Sequence, residues 1–282
     1  MVENRPWLTV FGHLVLILGV AVIAFPVWIA FVASTHDSAT MLRPPVPLLP
    51  GPYLIDNYSQ VLSEGFAQAS RTPLWRVLTN SLVMALGVCI GKIAISLIAA
   101  YAIVYFRFPL RMTAFWMIFI TLMLPIEVRI VPTYNVVANF GMLNSYGGLI
   151  IPLIASATAT FLFRQFFLSV PDELTEAARV DGAGPTRFFI DILLPMSRTS
   201  IAALFVIQFI YGWNQYLWPL LITTEESFYT VIMTLSRQAN VVDGVPQWNL
   251  IMTVGILAML PPMLVVVLMQ RQFVRGLVET EK

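Results

Sequence analysis

Long apolar runs separated by short polar segments constrain this chain more than any other feature. Six such runs approach or exceed the roughly 20 helical residues that cross a bilayer. Of the 282 residues, 58% are hydrophobic and 11% are charged, which is more apolar surface than one water-soluble core could bury. Backbone polar groups in lipid must be satisfied within their own segment, which favours helices. The sequence therefore predicts an all-α polytopic membrane protein with six transmembrane helices.

The predicted spans differ in length and in their interruptions. They lie at about residues 8–33, 77–106, 112–126, 149–167, 201–222 and 250–270. The third is short, so it must carry Glu127 and Arg129 into its far end to cross the hydrocarbon. The prolines on either side of this pair, Pro125 and Pro132, predict that the helix is bent or broken there. The proline-rich stretch at about 34–75 is expected to be an ordered loop outside the membrane.

The longest charge-bearing segment lies between the fourth and fifth spans. Its first half reads Glu176-Ala177-Ala178-Arg179-Val180-Asp181-Gly182-Ala183. Pro171 suits the first position of a helix, and Gly182 suits the left-handed conformation that ends one. Gly184-Pro185 then restarts a second helix, which Pro195 is expected to stop. The segment is therefore predicted to be a hairpin of two short helices.

The spacing in this hairpin resembles the EAA loop of ABC importer permeases, which docks from the cytoplasm into a cleft on the ATPase subunit. The family pattern is Glu-Ala-Ala, three residues, Gly, nine residues and Ile-x-Leu-Pro, and it is met by Glu176, Ala177, Ala178, Gly182, Ile192, Leu194 and Pro195. The resemblance implies an ATPase-coupling contact through Glu176, Ala177, Ala178, Asp181, Gly182 and Ala183. The alternative is an ordinary amphipathic hairpin between two spans.

Other stretches resemble the MalG-like branch of these permeases, and more narrowly its glycerol-3-phosphate importers. The stretches shared with the branch are Asn80-Ser81, the Pro125–Pro132 region and Trp213–Pro219. Those shared with the narrower group are Glu3–Trp7, Phe106–Arg111, Phe115–Pro125 and Phe273–Val278. The match runs nearly end to end and is weakest at about 37–72 and 225–246. It implies a type I importer permease fold in which residues 1–76 hold the first helix and an external loop. Residues 77–282 then form the five-helix core, with the cytoplasmic hairpin at about 170–198.

The resemblance also implies a function and a set of partners. The expected role is half of a translocation pathway for sn-glycerol-3-phosphate, with glycerophosphodiesters as possible further cargo, operating by alternating access. The expected partners are a second, non-identical permease, two ATPase subunits that bind ATP and Mg, a periplasmic or surface-anchored substrate-binding protein, and membrane lipid, but no nucleic acid. The chain itself is expected to hold no cofactor and no metal. Import of sugars or other polyols is the alternative, because it would need little change in this subunit.

Catalytic motifs are missing from the sequence. The run from Gly87 to Lys92 approaches a phosphate-binding loop but has one residue too few between its glycines and no Ser or Thr after the lysine. The single cysteine, Cys89, excludes an internal disulfide, and neither histidine has a carboxylate or cysteine at ligand spacing. These observations disfavour an intramembrane enzyme. A channel or a secondary transporter fits the helices but leaves the EAA hairpin unexplained.

The distribution of lysine and arginine predicts the orientation. If the amino terminus is in the cytoplasm, ten of these residues lie inside and four outside, leaving aside Lys92 and Arg129 within spans. Cytoplasmic loops carry the excess of positive residues in membrane proteins. We therefore expect a bacterial inner-membrane protein with both termini, and the hairpin, in the cytoplasm, where an ATPase can reach it.

Charged and amide side chains within the spans are the candidates for substrate contact. Arg129 and Lys92 could each attract a phosphate ester, and Arg129 is favoured because its donors can pair with two oxygens. Glu127 would oppose a dianion unless it orients a basic group. Asn214, beside Gln215, either packs across helices or lines a wet path. The competing roles are a hydrogen bond to a neighbouring helix for Lys92 and a snorkelling side chain for Arg129.

Overall fold

A computed structural model of the chain describes residues 6–65, 72–121, 126–240 and 244–278. Within these ranges the ordered elements are helices and no strand occurs, which confirms the all-α prediction. The chain divides into two compact units, Met1–Arg76 with Thr234–Leu260 and Val77–Met233 with Pro261–Lys282. The division into residues 1–76 and 77–282 made from the sequence stays a prediction.

Three helices open the chain in the first unit. Helix α1 (Pro6–Ser34) carries the first apolar run, and α2 (Ser38–Met41) and α3 (Leu54–Glu64) follow it. The last two correct the prediction that 34–75 is a loop. Helix α3 contains no proline and buries Asn57 and Val61, which lie four residues apart on one face. The prolines that suggested a loop lie before it.

A buried hydrogen-bond network holds the first unit together. The Asn57 side-chain amide donates to the carbonyl oxygens of Ser34 and His36, each at 2.8 Å. Asn249 in turn donates to the Asn57 side-chain oxygen at 3.1 Å, and the Thr253 hydroxyl donates to the Ser34 carbonyl at 3.4 Å. The last carbonyls of a helix lack partners within the helix, so these side chains supply what the end of α1 needs.

In the second unit, the second and third predicted spans correspond to three helices. These are α4 (Leu74–Tyr105), α5 (Arg111–Ile120) and α6 (Ile126–Asn139). Helix α4 is continuous and matches the predicted span at 77–106. The predicted break at Pro125 falls outside the described residues, whereas Pro132 lies inside α6.

The fourth predicted span is formed by two helices and not by one continuous helix. Helix α7 (Tyr146–Ile150) continues into a 3-10 turn at Ile151–Leu153, and α8 (Ala157–Leu168) follows at an angle of 48°. Ser156 begins α8 because its hydroxyl accepts a hydrogen bond from the Ala159 amide at 3.3 Å. Proline in the preceding turn cannot donate a hydrogen bond to continue α7.

The hairpin and the fifth predicted span form a chain of short helices. They are α9 (Asp172–Val180), α10 (Pro185–Phe188), a π-helical segment at Phe189–Leu193, α11 (Leu194–Met196), α12 (Arg198–Trp213) and α13 (Leu217–Ile222). Pro195 does not stop the second limb, which ends at Met196, and α12 then departs at 71°. The wider π-helical turn before Pro195 reduces the clash that its ring would otherwise make with a carbonyl one turn back.

Helices α14 (Val231–Ala239) and α15 (Trp248–Val278) complete the chain. Three described segments are long and apolar enough to cross a membrane: Thr9–Ser34, Leu74–Tyr105 and Trp248–Gln270. The number rises to five if each of the two bent pairs, Tyr146–Leu168 and Pro185–Trp213, is one span. Helix α5 is apolar but shorter. The six-span count therefore stays a prediction.

An apolar core in the second unit joins helices distant in sequence. Its buried members are Met84, Val88, Val137, Leu149, Leu153, Trp218 and Ile222. The Trp218 indole nitrogen donates to the Gly148 carbonyl at 3.1 Å, so this buried polar group has a partner. Two glycines allow close approach near this core. A Cβ added at Gly148 would lie 2.1 Å from the Met142 carbonyl oxygen, and one at Gly212 would lie 2.9 Å from the Ala85 Cα.

Candidate functional site

The turn between the two limbs of the hairpin has the conformation expected of its sequence. Gly182 has a φ of +71°, which confirms the predicted left-handed position. The Ala183 amide donates to the Ala178 carbonyl at 2.8 Å and the Gly182 amide donates to the Arg179 carbonyl at 3.1 Å. This pair of bonds is the Schellman motif that ends helices at glycine. Pro171 directly precedes α9, one residue earlier than predicted.

The first limb of the hairpin, α9, is largely exposed. Glu176 and Ala177 are exposed, and Ala178 is buried. Val180, next to the turn, has 87% of its surface exposed. The exposed residues of α9 therefore leave this limb accessible to another protein.

Aromatic side chains attach the second limb to the end of α4. The Tyr101 hydroxyl donates to the Pro185 carbonyl at 2.8 Å, and the Tyr101 ring lies 4.9 Å from the Phe189 ring, centroid to centroid. The Tyr105 ring makes an edge contact with buried Phe188 at 5.3 Å. The hairpin therefore has one limb fixed to α4 and one limb exposed.

A cavity of about 300 Å³ lies beside the interruption between α12 and α13. Its lining includes Arg129, Thr133, Pro152, Gln215, Tyr216 and Trp218. Two broken segments meet here, since Pro152 belongs to the turn before α8 and Gln215 lies between α12 and α13. Among the described residues that line the cavity, Arg129 is the charged one.

Lys92 is buried near the cavity but does not line it. Only 6% of its surface is exposed, and its Nζ lies 3.5 Å from the centroid of the Tyr211 ring. A buried ammonium over an aromatic face gains a cation–π attraction that partly replaces its lost hydration. A contact between Lys92 and a neighbouring helix was one of the predicted alternatives. Lys92 makes this contact with the Tyr211 ring of α12.

The two amides at the end of α12 have different surroundings. Asn214 follows the last residue of α12, and its side chain is exposed and does not line the cavity. Gln215 lines the cavity, and its Nε2 donates to the Tyr211 carbonyl at 3.1 Å. Asn214 was the candidate predicted from the sequence, whereas the structure places Gln215 in the cavity lining. The position of the helix break decides which of the two amides faces the cavity. The side chain of Glu127 lies outside the described residues.

Comparison with known proteins identifies the family. A family model described as "Binding-protein-dependent transport system inner membrane component" matches residues 92–279. The chain belongs to this family. The matched residues of this transport component include the hairpin and the whole cavity lining, whereas α1 to α3 precede them.

Several curated proteins resemble this inner-membrane component over the full length of both chains. The sn-glycerol-3-phosphate transport system permease protein UgpE is 57% identical in Brucella melitensis biotype 1 and in Rhizobium meliloti, and 56% identical in Escherichia coli K12. Among solved structures, a chain of a bacterial ABC transporter involved in the import of the acidic polysaccharide alginate superposes with a TM-score of 0.81. It is 18% identical, with coverage of 97% of this chain and 99% of that one, which establishes the likeness of fold.

Metal-ligating side chains are not clustered in the part of the chain that the structure describes. No group of three or more His, Cys, Asp or Glu residues there could hold a metal ion.

Proposed function

We propose that this chain is the permease subunit of an ATP-driven importer and forms half of the translocation pathway for sn-glycerol-3-phosphate. The assignment of the substrate rests on the 57% identity, over the whole of both chains, to permeases of sn-glycerol-3-phosphate transport systems. Arg129 in the cavity is consistent with an anionic cargo and gives no reason to prefer a neutral sugar or polyol. Glycerophosphodiesters would carry the same phosphate charge.

The proposed complex contains a second permease, two ATPase subunits and a substrate-binding protein. The exposed limb of the hairpin is the proposed ATPase contact, through Glu176, Ala177, Asp181, Gly182 and Ala183, whereas Ala178, which the family pattern also includes, is buried. Its exposed Val180 gives an apolar contact beside these charges. ATP and Mg would be bound by the ATPase subunits.

The attachment of the hairpin to α4 supports a mechanism of alternating access. When the ATPases close on ATP, the exposed limb moves with them, and Tyr101 and Tyr105 carry the movement to α4. Lys92 lies on the same helix, about 14 Å along its axis from Tyr101. Helix α4 thus carries both the attachment to the hairpin and Lys92. As a rigid helix it would couple the ATPase contact to the neighbourhood of the cavity without any covalent chemistry in this subunit.

Uptake by a reconstituted complex tests this function. We expect liposomes that hold both permeases and the ATPases, with binding protein supplied outside, to accumulate labelled sn-glycerol-3-phosphate when ATP is inside. The purified chain alone should neither hydrolyse ATP nor move the substrate. Accumulation of a neutral sugar with no accumulation of sn-glycerol-3-phosphate would overturn the substrate, and uptake by the chain alone would overturn the subunit role.

We further propose that the hairpin and both termini are cytoplasmic, as the bias of positive residues suggests. In a background with Cys89→Ala, Asn240→Cys should react with a membrane-impermeant thiol reagent added to intact cells, and Thr186→Cys should not. Both positions are exposed, so a difference in labelling reports the side of the membrane and not burial. Disruption of the cells should make both cysteines reactive. The opposite pattern in intact cells would exclude an ATPase contact through this hairpin.

A further inference from the structure

We propose that the cavity beside the α12–α13 interruption is a substrate subsite in which Arg129 pairs with a phosphate and Gln215 and Thr133 accept hydrogen bonds from hydroxyl groups. The inference rests on the proposed function and extends it by naming the residues that would recognise the two ends of a polyol phosphate. It also assigns different roles to the two basic residues of the spans. Arg129 would contact the substrate directly, whereas Lys92 would attract it electrostatically without touching it.

The backbone around the cavity is irregular in two places. Helix α12 ends at Trp213 and α13 begins at Leu217, while the turn at Ile151–Leu153 interrupts the fourth predicted span. Irregular backbone within a membrane is tolerated where it is buried in protein or lines a water-filled cavity. Interrupted helices commonly surround the binding sites of transporters for the same reason. Both interruptions contribute side chains to one cavity here.

The charge at the cavity favours an anion. Among the described residues, no salt bridge is found between Arg129 and a carboxylate. The Lys92 ammonium is close enough to Arg129 to interact with it electrostatically, although Tyr211 covers it. A dianionic phosphate beside Arg129 would therefore gain from both cations and would hydrogen-bond to one. Guanidinium can pair with two phosphate oxygens at once.

The uncharged lining offers acceptors for ligand hydroxyl groups. One N–H of the Gln215 Nε2 donates to the Tyr211 carbonyl, which leaves its second N–H and its Oε1 for a ligand. The Thr133 hydroxyl donates to the Arg129 carbonyl at 2.7 Å and so can accept from a ligand through its lone pairs. Acceptors of this kind match the hydroxyl protons of a polyol. The cavity volume of about 300 Å³ is at the lower end of those that hold small molecules.

Charge placed inside and outside the cavity provides the matched test. Gln215→Glu introduces a carboxylate into the lining with little change of shape, and Gln215→Met removes the polar atoms without adding charge. Asn135→Asp makes the same amide-to-acid change at an exposed position of α6 that does not line the cavity. Arg129→Gln removes the phosphate contact. Each variant is studied in the complete complex in liposomes with saturating loaded binding protein.

We expect Arg129→Gln to lower the initial uptake of labelled sn-glycerol-3-phosphate by about tenfold or more, which corresponds to loss of a charge-assisted hydrogen bond. Gln215→Glu should lower uptake to a similar degree, because its carboxylate would repel the phosphate. Gln215→Met should have a smaller effect. Asn135→Asp should stay within about twofold of wild type, and ATP hydrolysis stimulated by the binding protein should persist in all four variants. Unchanged uptake in Arg129→Gln, or equal losses in Gln215→Glu and Asn135→Asp, would overturn the subsite.

A second measurement detects occupancy directly. In the Cys89→Ala background, Thr133→Cys should be modified by a small thiol reagent, and sn-glycerol-3-phosphate should slow the modification while glycerol does not. Equal protection by glycerol, or no protection by either compound, would contradict the subsite. The two proposals fail differently. A wild-type complex that imports no sn-glycerol-3-phosphate refutes the proposed function, whereas import that is insensitive to Arg129→Gln refutes the subsite alone.

Discussion

Replacement of Gly182 with valine is expected to abolish uptake while the subunit still enters the membrane. Gly182 has a φ of +71°, and an added Cβ would meet nothing within 4 Å. The penalty is therefore one of backbone conformation, about 1–2 kcal/mol for an ordinary L-residue and more for a β-branched one. Valine should rearrange the turn and change the direction of the exposed limb. The measurements are recovery of the ATPase with the purified permease and uptake of labelled substrate.

Gly184→Ser is the matched control for that substitution. Gly184 lies two residues later, has an ordinary φ of −71° and also has open space around it. Serine suits its position before α10, so ATPase recovery and uptake should be close to wild type. If Gly182→Val behaves like Gly184→Ser in both assays, the turn does not set the coupling contact.

A second variant in the hairpin tests whether the charge of Glu176 contributes to the ATPase contact. Glu176→Lys reverses a charge on the exposed limb, and we expect weakened ATPase recovery and lost uptake. Glu176→Gln removes the charge without reversing it and should lie between the reversed variant and wild type. The binding protein should keep its affinity for its ligand in each case, because the hairpin is proposed to lie on the opposite side of the membrane from it. An unaffected Glu176→Lys complex would exclude this residue from the contact.

Gly148→Ala is expected to have the largest effect on folding. An added Cβ would lie 2.1 Å from the Met142 carbonyl oxygen and 3.2 Å from its carbonyl carbon, so backbone atoms would have to shift. The movement would also disturb the Trp218 hydrogen bond to the Gly148 carbonyl. Overpacking of a core costs about 1–3 kcal/mol, occasionally more, and backbone obstruction places this case at the upper end. The measurement is the yield and thermal stability of the subunit after extraction in detergent.

Gly147→Ala distinguishes this obstruction from a general intolerance of alanine in the segment. At Gly147 the nearest atom to an added Cβ is the end of the Met142 side chain, at 3.2 Å, which can rotate away. We expect Gly147→Ala to keep nearly wild-type yield and a midpoint of thermal unfolding close to that of the parent. Equal protein yields for the two variants would show that the backbone around Met142 shifts at a lower energetic cost than its geometry indicates.

Sequence reasoning succeeded where one local property determines the structure. Long uninterrupted apolar runs predicted α1, α4 and α15, because a helix that crosses a membrane needs about 20 such residues. The left-handed turn at Gly182 was predictable because glycine adopts positive φ at little cost. In each case the residues of the segment itself determine its backbone conformation.

The breaks within apolar segments could not be read in the same way. Residues 154–156 (Ile-Ala-Ser) continue an apolar run, and residues 214–216 (Asn-Gln-Tyr) are polar residues that a helix also accepts, so neither stretch marks the break by itself. The choice between Asn214 and Gln215 depends on the break, since only the backbone after Trp213 decides which amide lines the cavity. Helix α3 was missed because the prolines before it dominated the composition of the loop.

The lysine over Tyr211 also affects what else can cross the membrane. Two like unit charges 8 Å apart repel by about 2 kcal/mol at an effective dielectric constant of 20, and burial keeps salt from screening them fully. A sodium ion or hydronium that entered the proposed pathway would meet this repulsion from Lys92 together with that from Arg129. The same charges would favour the anionic cargo. If the proposed pathway runs past these charges, it would limit cation leakage while substrate passes, and so would help to preserve the proton-motive force across the membrane.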